Sequence, residues 1–566
     1  MTVSTTYRTC PRSGLQFEDQ AEKLIKINAF TAIVALLVGG ILALGVVLTR
    51  WPAVHLLPAD TFYMVLTAHG LDMLIYWMIF FEVAVMYFAA STLLRCRIAT
   101  PRIAWAAYAL MLVGAVINNI AIFQGESSVM MTSYVPMMAH WSFYLGLVVF
   151  AVGALVACGV FFGTLVVAQR EKTYEGSMPL VTFGAMTAAI IAVFTLLSGA
   201  IILVPTLFMS WGLVDHVDPL AYRIIWWALG HSSQQINVAA HISIWYAVAA
   251  IVLGAKPMSE RVSRGAFLLY ILFLQLASAH HILADPGVST EWKIVNTSYF
   301  MYFAVLASMI HALSVPGAME VAQRNRGFNK GLFEWLRKAP WGNPVFSSIF
   351  ISLVGFGFLG GITGVMMGTE QLNLLIHNTI YVPGHFHATV VIGTTLTFMG
   401  MTYFLVPVLF RREIINPGLA RIQPFLFGFA MYAFTIVMMG AGTLGVSRRH
   451  WDMAFNGNAL AYEWPGAAYL MMGLVGITGV IAIIGGALFI YLVVGSLLWG
   501  KKLDGGKVSN TFVFLNRAAP SAPLQTYGSA GFVAPGTFAL TMIFLLTFIL
   551  YYFVNWKYLG QLWGLS

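Results

Sequence analysis

Val382-Pro383-Gly384-His385-Phe386-His387 sits inside a long apolar run, and its two histidines decide how the chain is read. On an α-helix, residues two apart are rotated by about 200°. The two imidazoles therefore leave opposite sides of one helix and cannot share a metal. A zinc site built on one helix uses a four-residue separation instead. An opposed pair can hold two metal groups that flank the same helix. Ionisable side chains at bilayer depth are costly and mark function.

The surroundings of this run set the class. The chain has 566 residues, 59% hydrophobic and only 9% charged, against about 25% charged in soluble domains. Apolar runs of 18 or more residues recur from end to end, and each is long enough to span a bilayer as a helix. The reading is an all-α polytopic membrane protein of about thirteen helices, the first near 27–50 and the last near 532–555. Residues 1–566 form a single membrane-embedded domain, with 1–26 a polar cytoplasmic N-terminal segment. Cys10, Cys96 and Cys158 are scattered and form no CxxC pair, so neither a disulfide framework nor a thiolate metal site is expected.

Charge orients the bundle. Alternate connections are basic, holding Arg95, Arg97 and Arg102, then Lys256, Arg261 and Arg264, then Arg411, Arg412 and Arg421. The others hold Glu126, Asp215, Asp218, Asp285 and Glu291. The positive-inside rule puts the basic side and the N-terminus in the cytoplasm of a cell with this protein in its inner membrane. The net charge of +9 follows this topology and implies no nucleic acid. Arg448-Arg449 lies on the outer side, against the rule, and suggests a bound anion.

Further histidines extend the pattern. His280-His281 end one helix and precede Asp285-Pro286-Gly287. His231, in Trp226-Trp227-Ala228-Leu229-Gly230-His231, lies in the preceding helix. Three neutral imidazoles suit copper, zinc or iron. His69 lies early in the second helix, and all six histidines fall toward the outer half of the membrane. His55, His140, His216, His241, His311 and His450 read as structural or solvated. Asp72 and Glu82, at membrane depth, divide evenly between a proton route and hydrogen-bonded structural acids.

Gly230-His231, His280-His281 and His385-x-His387 together resemble the signature of heme-copper oxidase subunit I. The likeness covers nearly the whole chain. It is greatest to the B family, through Asn325-Arg326-Gly327, Ala339-Pro340-Trp341-Gly342-Asn343-Pro344 and His377-Asn378-Thr379-Ile380-Tyr381. The resemblance implies two hemes and one non-heme metal, copper favoured over iron. His69 and His387 would be axial ligands of a low-spin heme, and His385 the proximal ligand of a high-spin heme. His231, His280 and His281 would hold the second metal. Arg448 and Arg449 would bind heme propionates by bidentate pairing, and His377 would lie near the propionates of the high-spin heme. A small electron-accepting subunit, cupredoxin-like or cytochrome c-type, is the expected partner, because the chain has no heme-c attachment motif.

Two departures from the oxygen reductases direct the functional expectation. Their cross-linked tyrosine lies either four residues after the first metal histidine, here Gln235, or two before the histidine pair, here Ser278. Cleaving dioxygen takes four electrons, one of them from that tyrosine. Reducing two nitric oxide molecules to nitrous oxide takes two, which the two metals supply. Secondly, the B-family cytoplasmic proton route is lined by hydroxyls, and alignment puts Phe300, Ala307 and Ile310 at three of its positions in the eighth helix. Ile242 replaces a tyrosine, while Tyr246 is retained. Nitric oxide reductases of this superfamily commonly take protons from the outer side. The expectation is thus an oxidoreductase reducing nitric oxide, with Gln235 in its catalytic site. The alternative is a B-family oxygen reductase reducing dioxygen to water. A transporter, whose ionisable residues would line a substrate path, is a rival of another class.

Overall fold

The structure, a computed structural model, describes residues 6–11, 13–274, 278–503 and 533–562. Among these, twelve helices are long and apolar enough to cross a membrane. They are α1 (Asp19–Arg50), α2 (Ala59–Thr92), α3 (Pro101–Glu126), α4 (Trp141–Arg170), α5 (Leu180–Ser210) and α6 (Pro219–Leu253), then α8 (Thr290–Arg324), α9 (Pro344–Gly368), α10 (Tyr381–Val408), α11 (Pro417–Thr443), α12 (Gly466–Trp499) and α13 (Pro535–Gln561). The remaining helix expected from sequence, the one that His280-His281 end, is described as α7 (Glu260–Leu269), which continues as a π-helical stretch, Tyr270–Leu274. Residues 275–277 lie outside the described residues, and Ala279–His281 forms one 3-10 turn.

The helix ends follow local chemistry. Asp218 caps α6 by accepting from the Ala221 amide, and Pro219 occupies the first helical position, where a missing N–H costs nothing. The helix stops at Gly254, whose φ of 62° is left-handed and open to glycine without strain. Helices α3 and α4 pack backbone to backbone: a Cβ on Gly114 would sit 2.5 Å from the Phe150 nitrogen.

Burial ranks the helices by their distance from the centre. In the spanning stretches of α6 and α10, 89% of residues are buried, and in α2 78%. For α12 the share is 33%, and for α13 it is 6%. The three innermost helices are those that carry His69, His231, His385 and His387. Peripheral α13 is fixed at its start: Glu320, fully buried, accepts from the backbone amides of Gly536 (2.9 Å) and Thr537 (2.6 Å) and from Arg324 (2.6 Å).

The N-terminal segment is more ordered than its polarity suggests. Tyr7–Thr9 and Gln16–Glu18 pair as an antiparallel hairpin, and α1 already begins at Asp19. Arg8 binds Glu22 at 2.9 Å and the Val408 carbonyl at 3.1 Å, which ties the hairpin to the end of α10. Strands of three residues are too short to leave an alternating pattern in sequence.

Several spans contain π-helical turns: Asp72–Tyr76 in α2, Val295–Phe300 in α8, Phe356–Gly361 in α9 and His387–Thr395 in α10. Such turns occur often at functional sites. The first of them follows His69, and the last begins at His387.

Candidate metal and heme centre

The opposed histidines of α10 face two different neighbourhoods. On one side, His387 lines a cavity of about 440 Å³ together with His69, Arg50, Arg448, Arg449 and Phe386. That volume falls within the range of sites for cofactor-sized molecules. His69 donates its Nδ1 proton to the Gly39 carbonyl at 2.9 Å, and His387 donates to the Pro383 carbonyl at 2.7 Å. Each bond fixes the tautomer and leaves Nε2 as the lone-pair donor. These two imidazoles, on α2 and α10, would each offer a free Nε2 to a metal group in the cavity between them.

On the other side of α10, His385 donates Nδ1–H to the Thr363 hydroxyl at 2.8 Å, again leaving Nε2 to ligate. Thr363 in turn donates to the backbone carbonyls of Leu359 and Gly360. The glycine-rich turn of α9 lets this close approach happen: a Cβ on Gly364 would lie 3.0 Å from His385 Cε1.

His231, His280 and His281 converge, with one ring nitrogen of each within 4.8 Å of the others. His231 Nδ1 and His281 Nε2 are 3.0 Å apart. The His281 ring stacks on Trp227 at 3.9 Å with an interplanar angle of 3°, which locks its plane. Asn373 holds the histidine-bearing turn by donating to the His280 carbonyl at 2.9 Å. An all-imidazole donor set of this size fits copper, iron or zinc.

Gln235 stands on the far side of His231. Its amide lies 2.7 Å from His231 Nε2, while Nδ1 points into the cluster. The partner atom on Gln235 is its amide nitrogen, which donates to Nε2. Gln235 thus touches His231 on the ring nitrogen opposite the one that faces His281.

The arginine loop is sewn to the α10 entrance. The Arg448 amide donates to the Asn378 carbonyl at 2.8 Å, and the Ile380 amide donates to the Val446 carbonyl at 2.8 Å. Neither Arg448 nor Arg449 pairs with a carboxylate among the described residues. Arg449 donates to the Thr132 hydroxyl at 3.1 Å. Burial, and then the neighbouring Arg449, push the Arg448 guanidinium down to about 9, so the pair favours an anion. His377 Nε2 lies 3.4 Å from Asp285, which also accepts from Arg223 at 2.7 Å. Burial alone would raise the Asp285 carboxyl, but the His377 bond and the Arg223 charge hold it below its ordinary range.

These donor sets and their order along the chain match a known family. The description "Cytochrome C and Quinol oxidase polypeptide I" fits residues 23–488. The chain belongs to that family. The cytochrome c oxidase subunit 1 of Thermus thermophilus is 32% identical over 77% of this chain and 76% of its own length. A Synechocystis cytochrome c oxidase subunit 1 is 24% identical over 70% of this chain and 71% of its own. A solved structure described as a heme-copper terminal oxidase dimer superposes with a TM-score of 0.81 at 26% identity, covering 95% of this chain and 92% of that one. Subunit I of this family is an oxidoreductase of the membrane, binding hemes and a metal centre.

One participant escaped the sequence reading. Arg50, the last residue of α1, is buried and lines the same cavity as His69 and His387. It donates to the backbone carbonyls of Arg448 (2.9 Å) and His450 (3.3 Å). The signal was present, since Arg50 falls on the side that the loop charges assign as outer and breaks the charge rule just as Arg448-Arg449 does. Among the histidines set aside, His140 caps α4, His55 packs on Trp451 at 4.5 Å, and His216 is exposed. Asp72 accepts from Asn119 at 3.2 Å, and Glu82 lines a separate apolar cavity with Asn237 and Gln234.

Proposed function

We propose that this chain is the catalytic subunit of a nitric oxide reductase built on the oxygen-reductase framework. In this reading His69 and His387 hold the low-spin heme, and His385 holds the high-spin heme. His231, His280 and His281 hold the second metal, copper before iron. Arg448 and Arg449, with Arg50, take propionates of the low-spin heme, and His377 stands by those of the high-spin heme. The observation that carries the choice of gas is the Gln235 amide against His231 Nε2. An amide in this place can hold the imidazole but cannot yield an electron and a proton as a phenol does.

When bound, the high-spin iron and the second metal supply one electron each and Lewis acidity for oxygen that gains negative charge. The residues of the chain do the rest. The hydrogen bonds on Nδ1 fix each heme-facing imidazole, and Trp227 and Gln235 fix two imidazoles of the cluster. Two protons must reach the cluster for each pair of nitric oxide molecules that becomes nitrous oxide and water. Electrons enter from the outer face through a small partner subunit of cupredoxin or cytochrome c type. The protein lies in the cell inner membrane with its N-terminus cytoplasmic.

Dioxygen reduction is the second reading. It is favoured by the Thermus relative, which bears the name cytochrome c oxidase subunit 1 at 32% identity. The test is steady-state consumption of each gas by the purified complex at matched heme content, with metal analysis. Nitrous oxide formation with slow oxygen uptake is expected. Rapid reduction of oxygen to water with negligible nitrous oxide would transfer the assignment to the second reading.

Arg50→Leu provides an independent check on the low-spin site. A buried positive charge near a heme stabilises its reduced form. At an effective dielectric of about 20, a unit charge at roughly 8–16 Å is worth about 1–2 kcal/mol. The low-spin midpoint potential should therefore fall by roughly 40–80 mV in a redox titration, with both hemes still present. An unchanged potential would place Arg50 outside the reach of the heme.

A further inference from the structure

The three imidazoles assigned above to hemes differ in what their Nδ1 protons meet. His69 donates to the Gly39 carbonyl at 2.9 Å, and His387 to the Pro383 carbonyl at 2.7 Å. His385 meets a side chain instead, the Thr363 hydroxyl at 2.8 Å. Thr363 is only 3% exposed and stands two residues after the π-helical turn Phe356–Gly361 of α9. Its hydrogen is committed to the carbonyls of Leu359 and Gly360, four and three residues back. Helical threonines commonly donate in this way, and Thr195 and Thr206 do so toward Ile191 and Ile202. What sets Thr363 apart is the imidazole against its oxygen. A hydroxyl has one hydrogen. With that hydrogen on the carbonyls, the oxygen accepts, so His385 Nδ1 carries the proton and Nε2 the lone pair.

The nature of that acceptor matters to a metal on Nε2. The more strongly a group accepts from Nδ1–H, the more electron density the ring passes to the metal. An amide carbonyl accepts more strongly than an alcohol oxygen, because peptide resonance loads its oxygen with negative charge. Both imidazoles of the low-spin site are therefore paired with the stronger kind of acceptor, and His385 with the weaker. The Gly360 carbonyl also reaches the His385 ring, but it shares its lone pairs with the Thr363 hydroxyl. Thr363 thus stands between His385 and a backbone carbonyl that would draw on it more strongly. The ring cannot back away from this neighbourhood without opening a gap. A Cβ on Gly364 would lie 3.0 Å from His385 Cε1, so the imidazole is seated directly on the α9 backbone.

We propose that Thr363 is a positioning residue that keeps His385 a weaker donor than His69 and His387, so that an electron is more stable on the high-spin heme than on the low-spin one. The inference rests on the heme sites proposed above, but not on which gas is reduced there. A weaker donor stabilises the oxidised iron less, and this raises the reduction potential on the His385 side of α10. Carbonyl-supported histidines do the reverse on the His387 side. The electron count is unchanged, since one heme is oxidised as the other is reduced. Thr363 touches neither iron nor gas and acts only through His385.

The test uses the purified, heme-loaded complex. Resonance Raman spectra of the reduced protein give the iron–histidine stretching frequency, and a redox titration gives both midpoint potentials. Thr363→Ser keeps the hydroxyl and should match wild type. Thr363→Val keeps the shape and leaves His385 to the Gly360 carbonyl, so the frequency should rise and the high-spin potential fall. Thr363→Asn offers a side-chain carbonyl and should shift both in the same directions. In each, the equilibrium ratio of electrons on the high-spin to the low-spin heme should drop by about tenfold, the lower end of what a ligand's supporting partner contributes. The low-spin potential should stay where it is. A merely structural role would loosen His385 and lower the frequency. If Thr363→Val fails to retain the high-spin heme, Thr363→Asn against Thr363→Ser decides alone. An unchanged or lowered frequency in Thr363→Asn, or in a heme-retaining Thr363→Val, would overturn the proposal. A wild-type protein without a high-spin heme, or His385→Ala that keeps one, would overturn the site and the proposal together.

Discussion

His387→Ala should lose the low-spin heme spectrum and keep the high-spin one. Turnover with either gas should fall by roughly a hundredfold or more, at least about 2.7 kcal/mol of barrier. The reason is geometric. His387 faces the cavity that His69 and Arg50 also line, whereas His385 faces Thr363 on the opposite flank of α10. Removing one imidazole therefore empties one axial position and leaves the other flank intact. His69→Ala should reproduce the result from the other side of the cavity, and His385→Ala should invert it. Optical and electron paramagnetic resonance spectra of the reduced and oxidised proteins distinguish the cases. Loss of only the high-spin signal in His387→Ala would mean that the two roles are exchanged.

Gln235→Tyr should raise oxygen turnover measurably above that of the unmodified chain. Residues 231 and 235 are separated by about 6 Å of rise on nearly one face of α6, and the amide already touches His231 Nε2 at 2.7 Å. A phenol grafted there stands within bonding reach of the imidazole edge that points away from the metal. Gln235→Ala should lower nitric oxide turnover by about two- to twelvefold, the kinetic equivalent of the roughly 0.5–1.5 kcal/mol that one hydrogen bond contributes. Its effect should come through a loosened His231. If Gln235→Ala shows unchanged kinetics and Gln235→Tyr gains no oxygen turnover, then residue 235 does not set the choice of gas.

The fold was legible because burial in lipid and burial in protein both demand apolar helices. The histidine constellation was legible because its members are costly where they stand. What the sequence concealed lies in contacts between distant segments. Nothing local to Gln235 says that its amide faces His231 Nε2 and not the centre of the three-histidine cluster. Arg50 is separated by 398 residues from the carbonyl of Arg448 that it binds. The bonds of His241 to Thr394 and of His311 to Tyr246 join residues 153 and 65 positions apart, which no local pattern announces. The hairpin of residues 7–18 gives no periodic signal at all.

A π-helical turn holds one residue more than the α-helical turn it replaces, and so it can record a single-residue insertion. Val295–Phe300 in α8 is such a turn, and it precedes positions 307 and 310. Aligned without a gap, those positions carry Ala307 and Ile310. One residue further on stand Ser308 and His311, which bond Tyr270 and Tyr246. A widened turn at Val295–Phe300 is where a change of length within the membrane would be absorbed, since loops could not absorb it there. An extra residue would turn everything beyond it by about 100°, unless a widened turn took it up on the spot. Alignments of this lineage should accordingly permit gaps inside spans, and chimeras that exchange α8 are best joined within 295–300.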